Sequence, residues 1–271
     1  MHSTASDGSL PPGEVVERAH RAGLSAIALT DHDTIAGVPA ALEAGQRLGL
    51  RVVAGCEFSA AAPWGEMHVL GYFLPPDSSA LETFLQRCRA DRVRRGREMV
   101  TRLQHLGIDL SFEDVLSEAA GGAVGRPHVA RALARRGHVP VAGQAFDRWL
   151  GRGRPAFVDK VLPGFRGIAD LVHSLRGIVS VAHLKDRGTR SFLQRLKEEG
   201  LDAVETRHPS HDPDTRARLT DLALELGLLR SGGSDWHGDP MPGEAYGALG
   251  SQDVPSEWLD RLDDRRSGVA A

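Results

Sequence analysis

The residues best suited to metal chemistry in this chain stand at or near the ends of short apolar segments. They are histidines and carboxylates: His2, Asp7, Asp31, His32, Glu57, His68, His183, Asp235 and His237. Such mixed ligands suit Zn²⁺, Mn²⁺ or Fe²⁺, whereas a Ca²⁺ site would be almost entirely oxygen. Glu57 can bridge two metals because a carboxylate has two oxygen atoms. Neighbouring cations bind phosphoryl oxygens and lower the pKa of water, so the pattern predicts phosphoester hydrolysis.

Predicted strands and helices alternate in the first and last parts of the chain. Apolar runs of strand length lie at 26–29, 52–54 and 67–73, and further runs lie at 178–182, 203–205 and 228–231. Amphipathic stretches of helical length separate most of these runs. This alternation predicts a mostly parallel sheet or barrel, and such folds place their chemistry at the C-terminal ends of the strands. The ligand-type residues stand at those ends.

The middle of the chain differs, because residues 81–157 show helical patterns and no strand. We therefore predict an all-helical insertion at 81–157 between two parts of one α/β domain, at 1–80 and 158–271. We expect the insertion to cap the site and to help choose the substrate. It contains an arginine run: Arg87, Arg89, Arg92, Arg94, Arg95 and Arg97. Few aromatic residues accompany the run, which favours a solvated helix face, with RNA binding as the alternative.

The composition is that of an ordinary globular protein. The 271 residues carry a formal net charge of −3, which gives no global attraction to nucleic acid or membranes. The chain has 2 cysteines, which are too few for a disulfide framework. We see no apolar run of membrane-spanning length and no signal peptide, so we expect a cytoplasmic location.

Six motifs in a fixed order carry a resemblance to a known family. They are HSTASDGSLPP, LTDHDT, AGCEFS, MHVLGYF, VSVAHL and GGSDWHG. With these motifs the chain resembles the PHP (polymerase and histidinol phosphatase) family of metal-dependent phosphoesterases. The segments GRPHVARAL and VETRHPSH resemble more narrowly its nucleoside 3',5'-bisphosphate phosphatases and 5'-to-3' RNA-trimming enzymes. The resemblance spans nearly the whole chain, including the helical insertion.

The resemblance implies a distorted seven-stranded β/α (TIM-like) barrel that holds up to three divalent metals, manganese, zinc or iron. The implied ligand groups are His2, Glu57 and Asp235; Glu57, His68 and His183; and Asp7, His32 and His237. Asp31 would orient ligands from behind, although the sequence leaves open whether Asp31 or His32 is the ligand. The residues expected to be catalytic are Asp235, His183 and His208.

The family pattern opens with an apolar strand that ends in His-x-His, and this chain has only the second histidine, His2. We therefore expect a truncated first strand, with a protein that lacks one ligand as the alternative. In either case we expect the first metal to be held weakly. A barrel without its first strand would also leave neighbouring strand edges exposed.

Several basic side chains are candidates for binding substrate phosphate. They are Arg126, His128, Lys160, Arg207, His208 and His211. Arginine pairs with two phosphate oxygens at once, which favours Arg126 in the GRPH segment. His208 or His211 could contact phosphate or protonate the leaving group.

The function expected from this resemblance is hydrolysis of phosphomonoesters of small nucleotides, above all the 3'-phosphate of nucleoside 3',5'-bisphosphates. Trimming of short RNA in the 5'-to-3' direction is a related expectation. The alternatives are a nucleoside monophosphate phosphatase and a histidinol-phosphate phosphatase. A rival of another class is a metal-poor, inactive relative that binds nucleotides or a protein. No membrane partner is expected, and the oligomeric state is left open.

Overall fold

The computed structural model describes residues 1–239 and 247–268, and these form a curled mixed sheet surrounded by helices. The predicted last segment, 158–271, therefore includes residues 240–246 and 269–271, which lie outside the described residues. The strands are β1 Ala26–Leu29, β2 Arg51–Ala62, β3 Gly65–Tyr72, β4 Ile178–Val181, β5 Ala203–Arg207 and β6 Leu229–Gly232. The structure thus describes six strands where we expected seven.

The strands follow chain order across the sheet, but not all of them are parallel. β1 and β2, β4 and β5, and β5 and β6 pair in parallel, whereas β3 runs antiparallel to both of its neighbours. The prediction of a mostly parallel sheet missed the hairpin formed by β2 and β3. Its signal was the turn sequence Pro63-Trp64-Gly65 between two apolar runs, where Gly65 has a φ of +115°.

The first residues of the chain lie between β1 and β6. The amide of His2 donates to the Trp236 carbonyl at 2.9 Å, and the amide of Thr30 donates to the Met1 carbonyl at 2.9 Å. Through these backbone hydrogen bonds, Met1 and His2 connect the end of β1 with the segment that follows β6. The same bonds also fix His2 at the rim where β1 and β6 end, which is the rim that carries the other ligand-type residues.

Helices surround the sheet and fill the middle of the chain. The helices beside the strands are α1 Pro12–Arg21, α2 Val38–Leu48, α7 Phe165–Ser174, α8 Arg190–Glu198, α9 Pro213–Glu225 and α10 Ser256–Ser267. The middle contains α3 Ser79–His105, α4 Phe112–Ala119, α5 Arg126–Arg135 and α6 Ala142–Ala145, which continues into a π-helical turn at Phe146–Leu150. A 3-10 turn at Lys185–Arg187 follows β4. None of the described helices is long and apolar enough to cross a membrane.

The middle helices pack around their own apolar cluster, which includes Met99, Leu103, Leu133 and Leu150. The helix α3 also corrects our interpretation of the arginine run as a solvated face. Arg92 and Arg95 are buried, with 7% and 3% of their surfaces exposed, while Arg94 and other members of the run face solvent. Burial of an arginine is costly unless its donors are bonded, so these two side chains must have partners within the protein.

Candidate metal centre

The ligand-type residues converge on one rim of the sheet from different elements. His32 follows β1, His183 follows β4, and Asp235 and His237 follow β6. Glu57 and His68 instead lie within β2 and β3, which extend beyond the rim. The antiparallel pairing of these strands sets Ser59 opposite His68 and Leu70 opposite Glu57.

Glu57 is at the centre of the group and only 2% of it is exposed. Its Oε1 atom lies 2.7 Å from His68 Nδ1 and 3.2 Å from His183 Nε2. Its Oε2 atom lies 2.9 Å from His2 Nε2 and 3.6 Å from His32 Nδ1. Both carboxylate oxygens therefore face imidazole nitrogens, in an arrangement that would let one carboxylate bridge two cations.

Two aspartates complete the rim. Asp235 Oδ1 lies 3.2 Å from His2 Nε2. Asp7 Oδ1 lies 3.4 Å from His237 Nε2 and 3.9 Å from both His2 Nδ1 and His32 Nε2. These residues hold most of the predicted ligand atoms within a few ångströms of one another.

Among the described residues, three groups offer ligand atoms, and the atoms within each group lie within 4.8 Å of one another. The groups are His2, Glu57 and Asp235; His32, Glu57 and His68; and His2, Asp7, His32 and His237. They overlap with the groups implied by the resemblance, but His2 joins the group around Asp7 and His32 joins Glu57 and His68. His183 Nε2 also lies 3.2 Å from His68 Nδ1.

The bonding of these atoms fits a divalent cation. Asp7 Oδ1 and His32 Nδ1 are buried and have no hydrogen-bond partner among the described residues. A buried polar atom without a partner costs about 1 to 3 kcal/mol, and coordination to a cation would satisfy an oxygen or an unprotonated ring nitrogen of this kind. Imidazole and carboxylate ligands in one buried cluster are the donor set of divalent transition metals.

The electrostatics of the cluster point the same way. Burial acts to lower the pKa of His2, but hydrogen bonds to Asp235 and Glu57 outweigh it and raise that pKa to about 10. Burial likewise opposes the contacts of His68 with Glu57 and Glu66, which raise its pKa to about 10. The pKa of the Glu57 carboxyl is held well below its usual value, because the surrounding histidines outweigh burial. The carboxylates are therefore anionic, which is the state in which they would bind a divalent cation.

Two further acids support the ligands, and the sequence analysis missed both. Glu66 Oε1 lies 3.3 Å from His68 Nε2, on the side of the ring that faces away from Glu57. Glu205 Oε2 accepts a hydrogen bond of 2.8 Å from the amide of His183. Glu66 stands two residues before His68 and so shares its strand face, which is a signal that the sequence does contain. Carboxylates behind a ligating histidine fix its orientation.

Asp31 lies outside the three ligand groups. Its Oδ1 atom accepts hydrogen bonds from the amide of Ser3 at 2.7 Å and from Ser6 Oγ at 2.6 Å. Its Oδ2 atom accepts from Ser3 Oγ at 2.7 Å. Asp31 therefore orients no histidine directly; it holds the loop that carries His2 and Asp7.

The phosphate-binding candidates are not all brought to one place. Arg126 lines a cavity of about 320 Å³ together with His68 and His183. Lys160 lies close by, but its Nζ atom contacts Glu66 and donates to Ser59 Oγ at 2.9 Å. Burial lowers the pKa of Lys160 to about 8. Arg126 therefore lines the cavity, whereas the Lys160 ammonium group is bonded to Ser59 and Glu66.

The candidate histidines differ in what their ring nitrogens contact. His128 is buried, and its Nδ1 atom accepts a 2.9 Å hydrogen bond from the amide of Gly125 at the start of α5. The Nε2 atom of His211 accepts from the amide of Lys185 at 3.3 Å, and its Nδ1 atom lies 3.2 Å from the Thr206 carbonyl. Both rings therefore bond the backbone beside the ligand groups, and the His211 ring lies 5.5 Å from that of His208, centroid to centroid.

His208 and Arg207 are neighbours in sequence but face different surroundings. His208 Nε2 lies 3.5 Å from Asp235 Oδ2, so this ring reaches the ligand cluster. Arg207 donates to the carbonyls of Asp253 and Gln252 and lies over the Trp258 ring, with 5.4 Å to the centroid. These contacts join Arg207 to the C-terminal segment and not to the ligand groups.

Comparisons with known proteins show the family to which this chain belongs. The PHP domain model matches residues 1–205. A 5'-3' exoribonuclease from Haemophilus influenzae is 34% identical over 241 residues, which cover 87% of this chain and 88% of that protein. A 3',5'-nucleoside bisphosphate phosphatase from Chromobacterium violaceum is 31% identical over 265 residues, which cover 94% and 91%. A structure described as a metal-dependent phosphoesterase, from Bifidobacterium adolescentis, is similar with a TM-score of 0.89 at 30% identity, covering 98% of this chain and 94% of that one.

Proposed function

Because the chain belongs to the PHP domain family and is a metal-dependent phosphoesterase, we propose that it hydrolyses phosphomonoesters of small nucleotides. The favoured reaction is release of the 3'-phosphate from nucleoside 3',5'-bisphosphates. Trimming of short RNA from its 5' end is a related activity that the same site would support. The relatives named as a bisphosphate phosphatase and as an exoribonuclease support this choice of substrate class.

The observation that carries the proposal is the position of Glu57. Its two oxygens face histidines on both sides, and a cavity of about 320 Å³ containing Arg126 opens next to His68 and His183. The ligand groups can therefore hold cations beside a space that is lined by the Arg126 side chain. A phosphoryl group placed there would meet positive charge from both directions.

We assign up to three divalent ions, manganese, zinc or iron, to this centre. Their ligands would be His2, Glu57 and Asp235; Glu57, His68 and His183; and Asp7, His32 and His237. When bound, such ions neutralise phosphoryl oxygens and lower the pKa of water. The helices of residues 81–157 would cap the site, because Arg126 at the start of α5 belongs to them.

His208 is our candidate for protonating the leaving oxygen. Its ring is buried, which acts to lower its pKa, but Glu205 and Asp235 outweigh burial and raise that pKa. Its Nδ1 atom accepts a 3.0 Å hydrogen bond from the amide of Ser210, so the proton is directed to Nε2, which faces Asp235. The ring can therefore hold a proton at an atom that faces the site.

The first test is phosphate release from adenosine 3',5'-bisphosphate with added Mn²⁺. The wild-type protein should release phosphate, and Asp235→Ala should not, because this change removes a carboxylate that would bind a cation together with His2 and Glu57. Asp239→Ala is the matched control, since Asp239 is 71% exposed and pairs with Arg18 on the surface. Adenosine 5'-monophosphate and histidinol phosphate as parallel substrates distinguish the alternative phosphatases. Absence of release from every substrate would favour the binding-only rival.

A further inference from the structure

The turn that follows β4 contains two residues in the left-handed region of backbone conformation. His183 has a φ of +31° and Lys185 has a φ of +55°. This region is disfavoured for residues with a Cβ atom, and it persists in a protein only where the surroundings fix it. The turn also places the His183 ring, whose Nε2 atom lies 3.2 Å from both Glu57 Oε1 and His68 Nδ1. The contacts that fix this turn therefore determine where a ligand histidine lies.

Both left-handed residues are bonded through their amides to side chains of β5 and the loop after it. Glu205 Oε2 accepts from the His183 amide at 2.8 Å, and His211 Nε2 accepts from the Lys185 amide at 3.3 Å. The His211 ring is itself held, since its Nδ1 atom lies 3.2 Å from the Thr206 carbonyl. Burial lowers the pKa of His211 to about 4, so the ring is neutral at about pH 7. Its proton then lies on Nδ1, and its Nε2 atom is an acceptor.

The carbonyls of the same turn are bonded from α9. Arg218 Nη2 donates to the Lys185 carbonyl at 2.7 Å, and its Nη1 atom donates to the Gly188 carbonyl at 2.5 Å. Gly188 also packs closely on this helix, because a Cβ atom there would lie 2.5 Å from Leu219 Cδ2. A guanidinium has its donors in a fixed plane, so one arginine can hold two carbonyls at a set separation. The turn is thus held at its amides and at its carbonyls by separate side chains.

We propose that Arg218 and His211 are positioning residues for the metal centre, which hold the turn at 183–188 so that the His183 ring faces Glu57. They act on the backbone of the turn, and in this proposal His211 does not contact the substrate. The proposal rests on the proposed function, since it takes His183 as a ligand of a bound cation. The ring of His183 is then placed by the β5–α9 part of the chain as well as by the strand that precedes it.

The expected effect is on metal affinity, because a turn without these contacts can leave the left-handed conformation and carry the His183 ring away from Glu57. Removing a side chain that orients a metal ligand costs about 10- to 100-fold in metal affinity. Arg218 acts through the backbone, so Arg218→Met should weaken Mn²⁺ binding at the lower end of this range, by about tenfold. Arg218→Lys keeps a donor for one carbonyl and should recover part of this loss. His211→Leu removes the acceptor of the Lys185 amide and should act in the same direction.

The test is calorimetric titration of the metal-free protein with Mn²⁺, together with Tm in EDTA. The control is Arg190→Met. Arg190 is 62% exposed and pairs with Glu225 of α9, so its loss removes an arginine contact to the same helix without removing a bond to the turn. We expect the control to bind Mn²⁺ as the wild type does, and Arg218→Met to bind it about tenfold more weakly.

A double-mutant cycle with His183→Ala separates positioning from a general structural role. If Arg218 acts through His183, Arg218→Met should have no further effect on Mn²⁺ affinity once His183 has been removed. An equal loss in both backgrounds, or wild-type affinity in Arg218→Met, would overturn the proposal. Unchanged Mn²⁺ affinity in His183→Ala would also overturn it. Phosphate release is not part of this measurement, so absence of hydrolysis would reject the proposed reaction and leave the cycle interpretable.

Discussion

Two buried polar clusters lie side by side at the rim of the sheet, and their hydrogen bonding differs. The ligand cluster comprises His2, Asp7, His32, Glu57, His68, His183, Asp235 and His237. The anchor cluster comprises Asp33, Ser59, Arg92 and Lys160. In the ligand cluster, Asp7 Oδ1 and His32 Nδ1 are buried without a hydrogen-bond partner among the described residues. In the anchor cluster, the corresponding groups are bonded to one another.

The anchor cluster joins the sheet to the middle helices. Arg92 of α3 lies with its Nε 2.7 Å and its Nη2 2.6 Å from Asp33 Oδ2. Asp33 Oδ1 accepts from the amide of Ser59 at 3.0 Å, and Lys160 Nζ donates to Ser59 Oγ at 2.9 Å. Arg92 outweighs burial and lowers the pKa of Asp33. This is a buried ion pair with its donors and acceptors occupied, which is the arrangement of a structural joint.

The comparison shows how bonding separates two roles that residue type alone does not. Both clusters contain buried carboxylates facing cationic or ionisable side chains. The polar atoms of the anchor cluster are bonded within the protein, whereas the ligand cluster has buried atoms without a hydrogen-bond partner among the described residues, which fits the binding of cations. The ligand cluster should therefore contribute to activity and to metal-dependent stability, and the anchor cluster should contribute to stability at all metal concentrations.

The largest effect should come from Glu57→Gln, because this carboxylate faces ligands on both sides. Loss of one bridging anion should lower phosphate release by at least about a thousandfold, since metal ions supply several kcal/mol of charge stabilisation. Metal analysis should show fewer bound ions, and added Mn²⁺ should no longer raise Tm. Glu43→Gln, on the exposed face of α2, is the control. Wild-type activity in Glu57→Gln would mean that the two clusters do not differ as we describe.

The next effect should appear in stability. Arg92→Met leaves Asp33 as a buried charge without its partner, which costs about 3 to 5 kcal/mol of unfolding free energy. Urea unfolding with and without Mn²⁺ measures it, and the loss should be similar in both conditions. Arg94→Met is the matched control on the same helix, because Arg94 is 46% exposed and forms surface pairs worth about 0 to 1 kcal/mol. A loss seen only with metal present would assign Arg92 to the ligand cluster instead.

Part of this division was predictable from sequence. The motifs led to the family and to a metal-dependent phosphoesterase, because ligand residue types recur near strand ends in a fixed order. The strands themselves were located by their apolar runs. What the periodicity could not show was the direction of β3, because an apolar run is the same for parallel and antiparallel pairing. A turn of Pro63 and Gly65 was the available signal.

The anchor cluster was missed for a different reason. Arg92 lies in a run of arginines whose spacing resembles a solvated face, and only its tertiary contact with Asp33 makes it an interior residue. Asp31 and Asp33 are two residues apart in one motif, yet one holds the loop at Ser3 and the other holds α3. Residue type is the same in both cases, and the partners come from distant parts of the chain. Such roles depend on packing that a single sequence does not reveal.

Glu66 connects the two clusters, because it contacts Lys160 on one side and His68 on the other. Glu66→Gln should weaken metal binding about 10- to 100-fold, as expected for a carboxylate that orients a ligating histidine. Titration of the metal-free protein with Mn²⁺ measures this. The double variant Glu66→Gln with Lys160→Met is the control, because it also removes the buried charge of Lys160. If the double variant regains wild-type affinity, the effect of Glu66 passes through Lys160 and not through His68.

The smallest effect, taken per pH unit, should come from His128, a buried histidine whose Nδ1 atom bonds the amide of Gly125 at the start of α5. Burial lowers its pKa from 6.5 to about 4, so between these pH values the ring is protonated in the unfolded chain and neutral in the folded protein. Unfolding free energy should therefore fall as pH drops from 6.5 to 4, by about 1.4 kcal/mol per pH unit. His2 and His68 have pKa values raised to about 10 in the metal-free protein, so their contribution to the unfolding free energy is instead lost as pH rises from 6.5 to 10. His128→Asn keeps an acceptor for Gly125 but does not titrate, so its stability in EDTA should depend less on pH than that of the wild type. His20→Asn, on the exposed face of α1, should keep the wild-type slope; an unchanged slope in His128→Asn would show that this ring titrates freely.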